Sequence, residues 1–210
     1  MKKDYTDITI LLDRSGSMES IKDDTIGGLK LFTEEQAKLP GKCLLTLIQF
    51  DSESYDVILK EKPIGEVSGI SLNPRGWTPL LDSVGKAINE TGERLKVMDE
   101  DKRPEFVVFV IVTDGQENAS HEFTKDTIKK MIVHQTDVYH WKFTYLGANQ
   151  DAFEEADKIG IAQGSTLDYA ADPKGVKNMY NSLAVATSCL RSRVEDNMSY
   201  SAEDRKKQKR

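Results

Sequence analysis

Residues 106–115 read Phe106-Val107-Val108-Phe109-Val110-Ile111-Val112-Thr113-Asp114-Gly115. Every residue of the apolar part is β-branched or aromatic, the composition a strand takes when both of its faces are covered. The run is well short of the roughly 20 apolar residues that a helix needs to cross a bilayer. It ends on a threonine, a carboxylate and a turn glycine. This predicts the central strand of a parallel sheet, with Asp114 standing at its carboxyl end, where open α/β sheets gather their ligands.

Working outward, short β-rich runs alternate with helical ones. Ile8 to Leu12 stops at Asp13, and Leu44 to Phe50 and Tyr55 to Leu59 flank Asp51-Ser52-Glu53-Ser54 as a hairpin. Tyr139 to Leu146 and a short edge run, Thr166 to Ala170, complete the strands. Helices are expected over Ile21 to Lys38, Lys125 to Gln135, Asp151 to Ile159 and Pro173 to about Arg193, with Gly27-Gly28 weakening the first. Leu80, Leu81, Val84, Ile88 and Leu95 recur at helical spacing after Thr78-Pro79, read as an N-cap and a first-turn proline. The fold class is therefore α/β: a doubly wound, Rossmann-like, mostly parallel sheet with one antiparallel edge strand and helices on both faces. The common strand order 3-2-1-4-5-6 makes strands one and four neighbours, so Asp13 and Asp114 face each other across the crevice and the crossover brings in Thr78.

A length of 210 residues suits one domain, taken as 1–195, followed by a charged, flexible tail over 196–210. Apolar residues at 38% are enough for a sizeable core, which sets aside disordered and fibrous classes. The net charge of −6 argues against a surface built for nucleic acid or anionic lipid, except through the basic stretch Arg205-Lys206-Lys207-Gln208-Lys209-Arg210. No segment reads as a signal peptide or membrane span, and Cys43 and Cys189 read as free thiols in a reducing compartment, so a cytoplasmic location is expected.

The residues gathered at the strand ends carry the chemistry. Asp13-Arg14-Ser15-Gly16-Ser17 follows the first strand, Thr78 precedes a helix and Asp114 follows the central strand. Carboxylate and hydroxyl oxygens are hard ligands suited to Mg²⁺, which takes about six at roughly 2.0–2.1 Å and usually keeps some waters. Three neutral hydroxyls leave a bound ion with residual positive charge and an exchangeable position, which favours a carboxylate offered by a partner.

These five positions, with their strand and helix contexts, resemble the metal-ion-dependent adhesion site (MIDAS) of von Willebrand factor A (VWA) domains. There an Asp-x-Ser-x-Ser motif, one threonine and one aspartate form the site. The resemblance covers about the first 170 residues. It implies that Ser15, Ser17 and Thr78 ligate Mg²⁺, with Mn²⁺ or Ca²⁺ as alternatives, and that Asp13 and Asp114 act largely through hydrogen bonds or waters. It also implies a protein partner offering Asp or Glu, an ATPase among the candidates, with Arg14 and Trp77 bordering the ion. Trp77 departs from the pattern, since many relatives carry a small residue there. Gly147-Ala148-Asn149-Gln150-Asp151-Ala152 is similar to stand-alone bacterial and phage members.

Competing readings carry less. A metal-dependent phosphohydrolase or phosphotransferase using the same crevice generally needs a second acid two residues after the first, where Ser15 stands, and a lysine by the phosphate. Neither Gly-x-Ser-x-Gly nor a Walker sequence is present, so no enzyme is expected. Asp51 reads as the cap of the hairpin turn rather than, with Glu53, a second cation site. Glu117 and Asn118 read as solvated loop residues, and His121, His134 and His140 are scattered.

Overall fold

The stretch from Phe106 lies in β4 (Pro104–Thr113), with β1 (Lys2–Asp13) on one side and β5 (Lys142–Gly147) on the other, both parallel to it. The computed structural model describes residues 1–149 and 151–208; Gln150 of the 147–152 segment and Lys209 and Arg210 of the basic stretch lie outside the described residues. Beyond β1 come β2 (Lys42–Phe50), parallel, and β3 (Tyr55–Pro63), antiparallel; β6 (Thr166–Asp168) closes the far edge. The sheet order is β3-β2-β1-β4-β5-β6, as the strand pattern predicts.

Alternation along β4 shows why its apolar run is unbroken. Val108, Val110 and Val112 pack with Leu29 and Phe32 of α1 (Lys22–Ala37) and with Val176, Met179 and Leu183 of α5 (Pro173–Arg191). Val107, Phe109 and Ile111 face the other layer: α2 (Leu80–Lys96), α3 (Lys125–Tyr139) and α4 (Ala152–Lys158). Phe109 stacks on both Trp141 and Phe143, at 5.4 and 5.2 Å, so the alternating aromatics at the start of β5 are core. Fully burying such a side chain contributes about 1.5–3 kcal/mol. Among the described residues no helix is long and apolar enough to cross a membrane.

Residues 196–208 differ from the flexible tail expected of them. Met198 and Tyr200 are buried, the Tyr200 hydroxyl lies 2.8 Å from that of Thr144, and Ala202–Gln208 forms α6. Ser201 and Asp204 bond reciprocally, Ser201 N–H to the Asp204 carboxylate and Asp204 N–H to the Ser201 hydroxyl. That is a capping box, legible in Ser201-Ala202-Glu203-Asp204 and masked by the density of charge around it.

Candidate functional site

Strand register builds the centre of the site. Leu12 pairs with Val112, so the next residues, Asp13 and Thr113, emerge side by side at the carboxyl ends of β1 and β4. The Thr113 hydroxyl donates to Asp13 Oδ2 at 2.7 Å and accepts from Gly115 N–H at 3.2 Å. The other oxygen, Asp13 Oδ1, accepts from Ser15 N–H at 2.7 Å, which turns the chain back over the strand end. A single 3-10 segment, Gly16–Ile21, then leads into α1.

That turn presents the hydroxyls. Ser15 Oγ and Ser17 Oγ lie 3.1 Å apart, and Ser17 donates to Asp114 Oδ1 at 2.5 Å. Gly115 leaves room for them: a Cβ placed on it would sit 3.4 Å from Ser17 Oγ and 3.6 Å from Thr78 Oγ1. Asp13, Ser15, Ser17, Thr78 and Asp114 thus meet at one place. The second oxygen of Asp114 is buried and has no hydrogen-bond partner among the described residues. A buried charged oxygen left without a donor is costly, so this group fits a cation or the water bound to one.

Burial sets the electrostatics. It pushes the Asp13 carboxyl up to about 6, against the Thr113 and Ser15 bonds that favour the anion, with Asp114 adding to the rise. Asp114 is also raised, by burial first, with the Ser17 bond opposing. An aspartate raised on folding costs stability once ionised: the Asp13 contribution is full at low pH and is lost as pH rises through about 6. A cation reverses that preference. Were a divalent ion bound here, its apparent affinity would be flat above about pH 7 and would fall at least about tenfold per unit below pH 6 as the carboxylates take up protons, read by calorimetry across pH. A flat profile down to pH 5 would detach Asp13 from the metal.

Thr78 is not the N-cap that its sequence position suggests. Pro79 occupies the cap position of α2 and makes no side-chain cap bond. Glu117, from the loop after β4, accepts instead from Leu81 N–H at 2.9 Å, while its other oxygen accepts from Ala119 and Ser120 N–H. Asn118 Oδ1 accepts from Thr78 N–H at 2.9 Å. Glu117 and Asn118 are thus tethers that hold Thr78 against the end of β4. Sequence reading missed them because an acid capping a helix 36 residues away leaves no local pattern.

Arg14 is likewise corrected. It is only 7% exposed and does not border the site: its guanidinium donates to Asp51 at 2.7 Å, to Asp56 at 2.9 Å and to Ser54. Asp51 Oδ1 accepts from Glu53 and Ser54 N–H, the capped turn expected of it, and Arg75 shares its Oδ2. Burial opposes the Asp51 charge, but these donors outweigh it and hold the carboxyl below the usual range. Arg14 fastens the hairpin turn to the site, and its backbone takes part: Arg75 N–H donates to Arg14 O. Trp77 is 67% exposed.

Among the described residues no three His, Cys, Asp or Glu side chains cluster as metal ligands. The oxygens gathered here are mainly hydroxyls. No protein-family model matches the sequence, and no curated protein matches it. Solved structures do. The vWF domain of the type V pili tip protein Mfa5 from Porphyromonas gingivalis aligns with TM-score 0.62 at 8% identity, covering 90% of this chain and 96% of that one. The fold is that of von Willebrand factor A domains. The SpRpn10 VWA domain aligns at 10% identity and TM-score 0.54, covering 94% and 99%. Proximal thread matrix protein 1 from the mussel byssus, solved with zinc in its MIDAS motif, aligns at 12% identity and TM-score 0.56, over 87% of this chain. This chain spans less than half of that mussel protein. At these identities the likeness concerns the VWA fold alone.

Proposed function

We propose that this chain is a non-enzymatic interaction module that uses Mg²⁺ to clasp an Asp or Glu side chain of a protein partner. Ser15, Ser17 and Thr78 would hold the ion through their hydroxyls, with Asp13 and Asp114 balancing its charge. When bound, the ion supplies a hard, positively charged point for an anionic oxygen. The observation that carries the reading is the buried Asp114 Oδ2, without a hydrogen-bond partner among the described residues, beside three hydroxyls from two loops. The zinc-occupied MIDAS motif of the mussel protein supports it.

The chain's own residues do the positioning. Asp13 holds the turn bearing Ser15 through its N–H, Ser17 orients Asp114, and Asn118 fixes the peptide that carries Thr78. Arg14, adjacent to the motif aspartate, is committed to Asp51 and Asp56, so it is not free to meet a phosphate. That weighs against a phosphotransfer reading of the same crevice.

Ser17→Ala removes one hydroxyl and the Asp114 bond. It is expected to weaken Mg²⁺ binding by about tenfold or more, since a hydrogen bond to a charged group is worth about 1.5–3 kcal/mol. Calorimetric titration of wild type and variant checks this, and unchanged affinity would remove Ser17 from the site.

A further inference from the structure

A cavity of about 590 Å³ opens at the end of the sheet opposite the strand-end site, where the chain leaves α2 and α3 and enters β4 and β5. Leu95, Pro104, Val138, Tyr139 and Trp141 give it apolar walls. The fold sets these walls in place. His140 takes a left-handed conformation, and the N–H groups of His140 and Trp141 close α3 on Thr136 O and Gln135 O, each at 3.1 Å. Trp141 is thereby turned into the core, where its ring lies 5.4 Å from that of Phe109 and 7° from parallel. Tyr139, half exposed, makes an edge contact with the His134 ring at 5.6 Å.

Two donors in the lining are unused. Trp141 is 5% exposed, yet its indole N–H donates to no acceptor among the described residues. Arg103 donates from Nε to Met98 O at 3.1 Å and from Nη2 to Lys96 O at 3.2 Å, at the end of α2. Its Nη1 has no acceptor, and no carboxylate pairs with the guanidinium, among the described residues. Two of the acids in the lining are engaged, Glu93 with Lys96 at 3.6 Å and Glu105 with Arg193 at 2.7 Å, which leaves the exposed Glu100. A preformed, largely apolar cavity with a few polar groups is what holds and orients a small ligand. Here the unused groups are donors, one of them a cation, so they suit an anionic oxygen carried on a flat apolar body.

We propose that this cavity binds a small planar aromatic carboxylate, with its ring against Val138, Tyr139 and Trp141 and its oxygens toward the unused donors of Trp141 and Arg103. The site lies at the amino ends of β4 and β5 and needs no metal. It is therefore separate from the proposed Mg²⁺-dependent function, and the two can fail independently.

The chain has two tryptophans, Trp77 and Trp141, so a ¹⁵N-labelled sample gives two indole N–H resonances, assigned with Trp77→Phe. The test titrates the full chain with 2-naphthoate, and separately with the charge-reversed 2-naphthylmethylammonium, in EDTA so that no metal recruits the carboxylate. The Trp141 resonance is expected to shift saturably with 2-naphthoate, half-saturating below about 1 mM, while that of Trp77 stays in place. The ammonium probe should bind at least about tenfold more weakly. Arg103→Gln should weaken 2-naphthoate about tenfold, and Arg103→Lys, which keeps the charge, should recover part of that loss. Trp141→Phe keeps the stack on Phe109 and removes the N–H, and should weaken binding about fivefold by calorimetry. Absence of a saturable shift at Trp141, or a shift of Trp77 alone, overturns the site. An equal response to both probes, or unchanged 2-naphthoate affinity in Arg103→Gln, overturns the assignment of a carboxylate.

Discussion

Asp114→Asn is expected to raise the melting temperature in EDTA and to abolish the further rise that Mg²⁺ gives to the wild type. The two effects have one origin. Asp114 is 2% exposed; Ser17 satisfies one carboxylate oxygen, and the other has no partner among the described residues. Burial raises its pKa, so at neutral pH the ionised form costs stability in the metal-free fold. Asparagine keeps the acceptor for Ser17 and removes the charge. The stability recovered is that of the buried charge alone, since the amide N–H groups inherit the place of the partnerless oxygen, and is expected to be about 1 kcal/mol. For a chain of this size that is a rise of a few degrees, at about 2–4 °C per kcal/mol. The same change removes the negative charge that a divalent ion offsets, so melting curves with and without Mg²⁺ should coincide. A lower melting temperature in EDTA would mean that the carboxylate stabilises the fold by itself, and would undercut the main observation behind the proposed function.

What could be read from the sequence follows from where each interaction is encoded. The sheet order and the meeting of Asp13 with Asp114 were legible because both depend on local runs: a strand that ends in a carboxylate places that carboxylate at the sheet's edge whatever surrounds it. The hydroxyls of Ser15 and Ser17 follow from their distance from Asp13 along one turn. Arg14 sits in the same turn, yet its side chain was misplaced. Its direction is set by Asp51 and Asp56 on the neighbouring hairpin, and no spacing records that encounter. Glu117 and Asn118 were passed over for the same reason, since what they hold lies on α2 and before it. In the 196–208 segment the cap is written in the sequence, but the density of charge around it hides two side chains, Met198 and Tyr200, that are buried.

The pair Gly27-Gly28 weakened the first helix as a sequence, and packing explains why the second glycine is there. A Cβ on Gly28 would stand 2.0 Å from Tyr180 Cδ2 and 2.6 Å from Cγ, because α1 and α5 meet at this point. Tyr180 is fully buried, so its ring has no solvent to retreat into. On Gly27, by contrast, an added Cβ meets nothing within 4 Å. Alanine gains about 1 kcal/mol of helix propensity at either position. At Gly27 that gain stands alone, and Gly27→Ala is expected to stabilise by about 0.5–1 kcal/mol. At Gly28 the overlap with an aromatic ring exceeds it, and Gly28→Ala is expected to cost about 3 kcal/mol net, at the upper end for overpacking. The melting temperature should then fall by roughly 6–12 °C. Neither α1 nor α5 supplies a residue to the proposed metal site, so any Mg²⁺ affinity of the folded Gly28→Ala protein should stay within about twofold of wild type. Adding Tyr180→Leu to Gly28→Ala should cost less than the two changes summed, because the smaller side chain relieves the overlap that the alanine creates. Strict additivity in that double-mutant cycle would place the damage elsewhere than the α1–α5 contact.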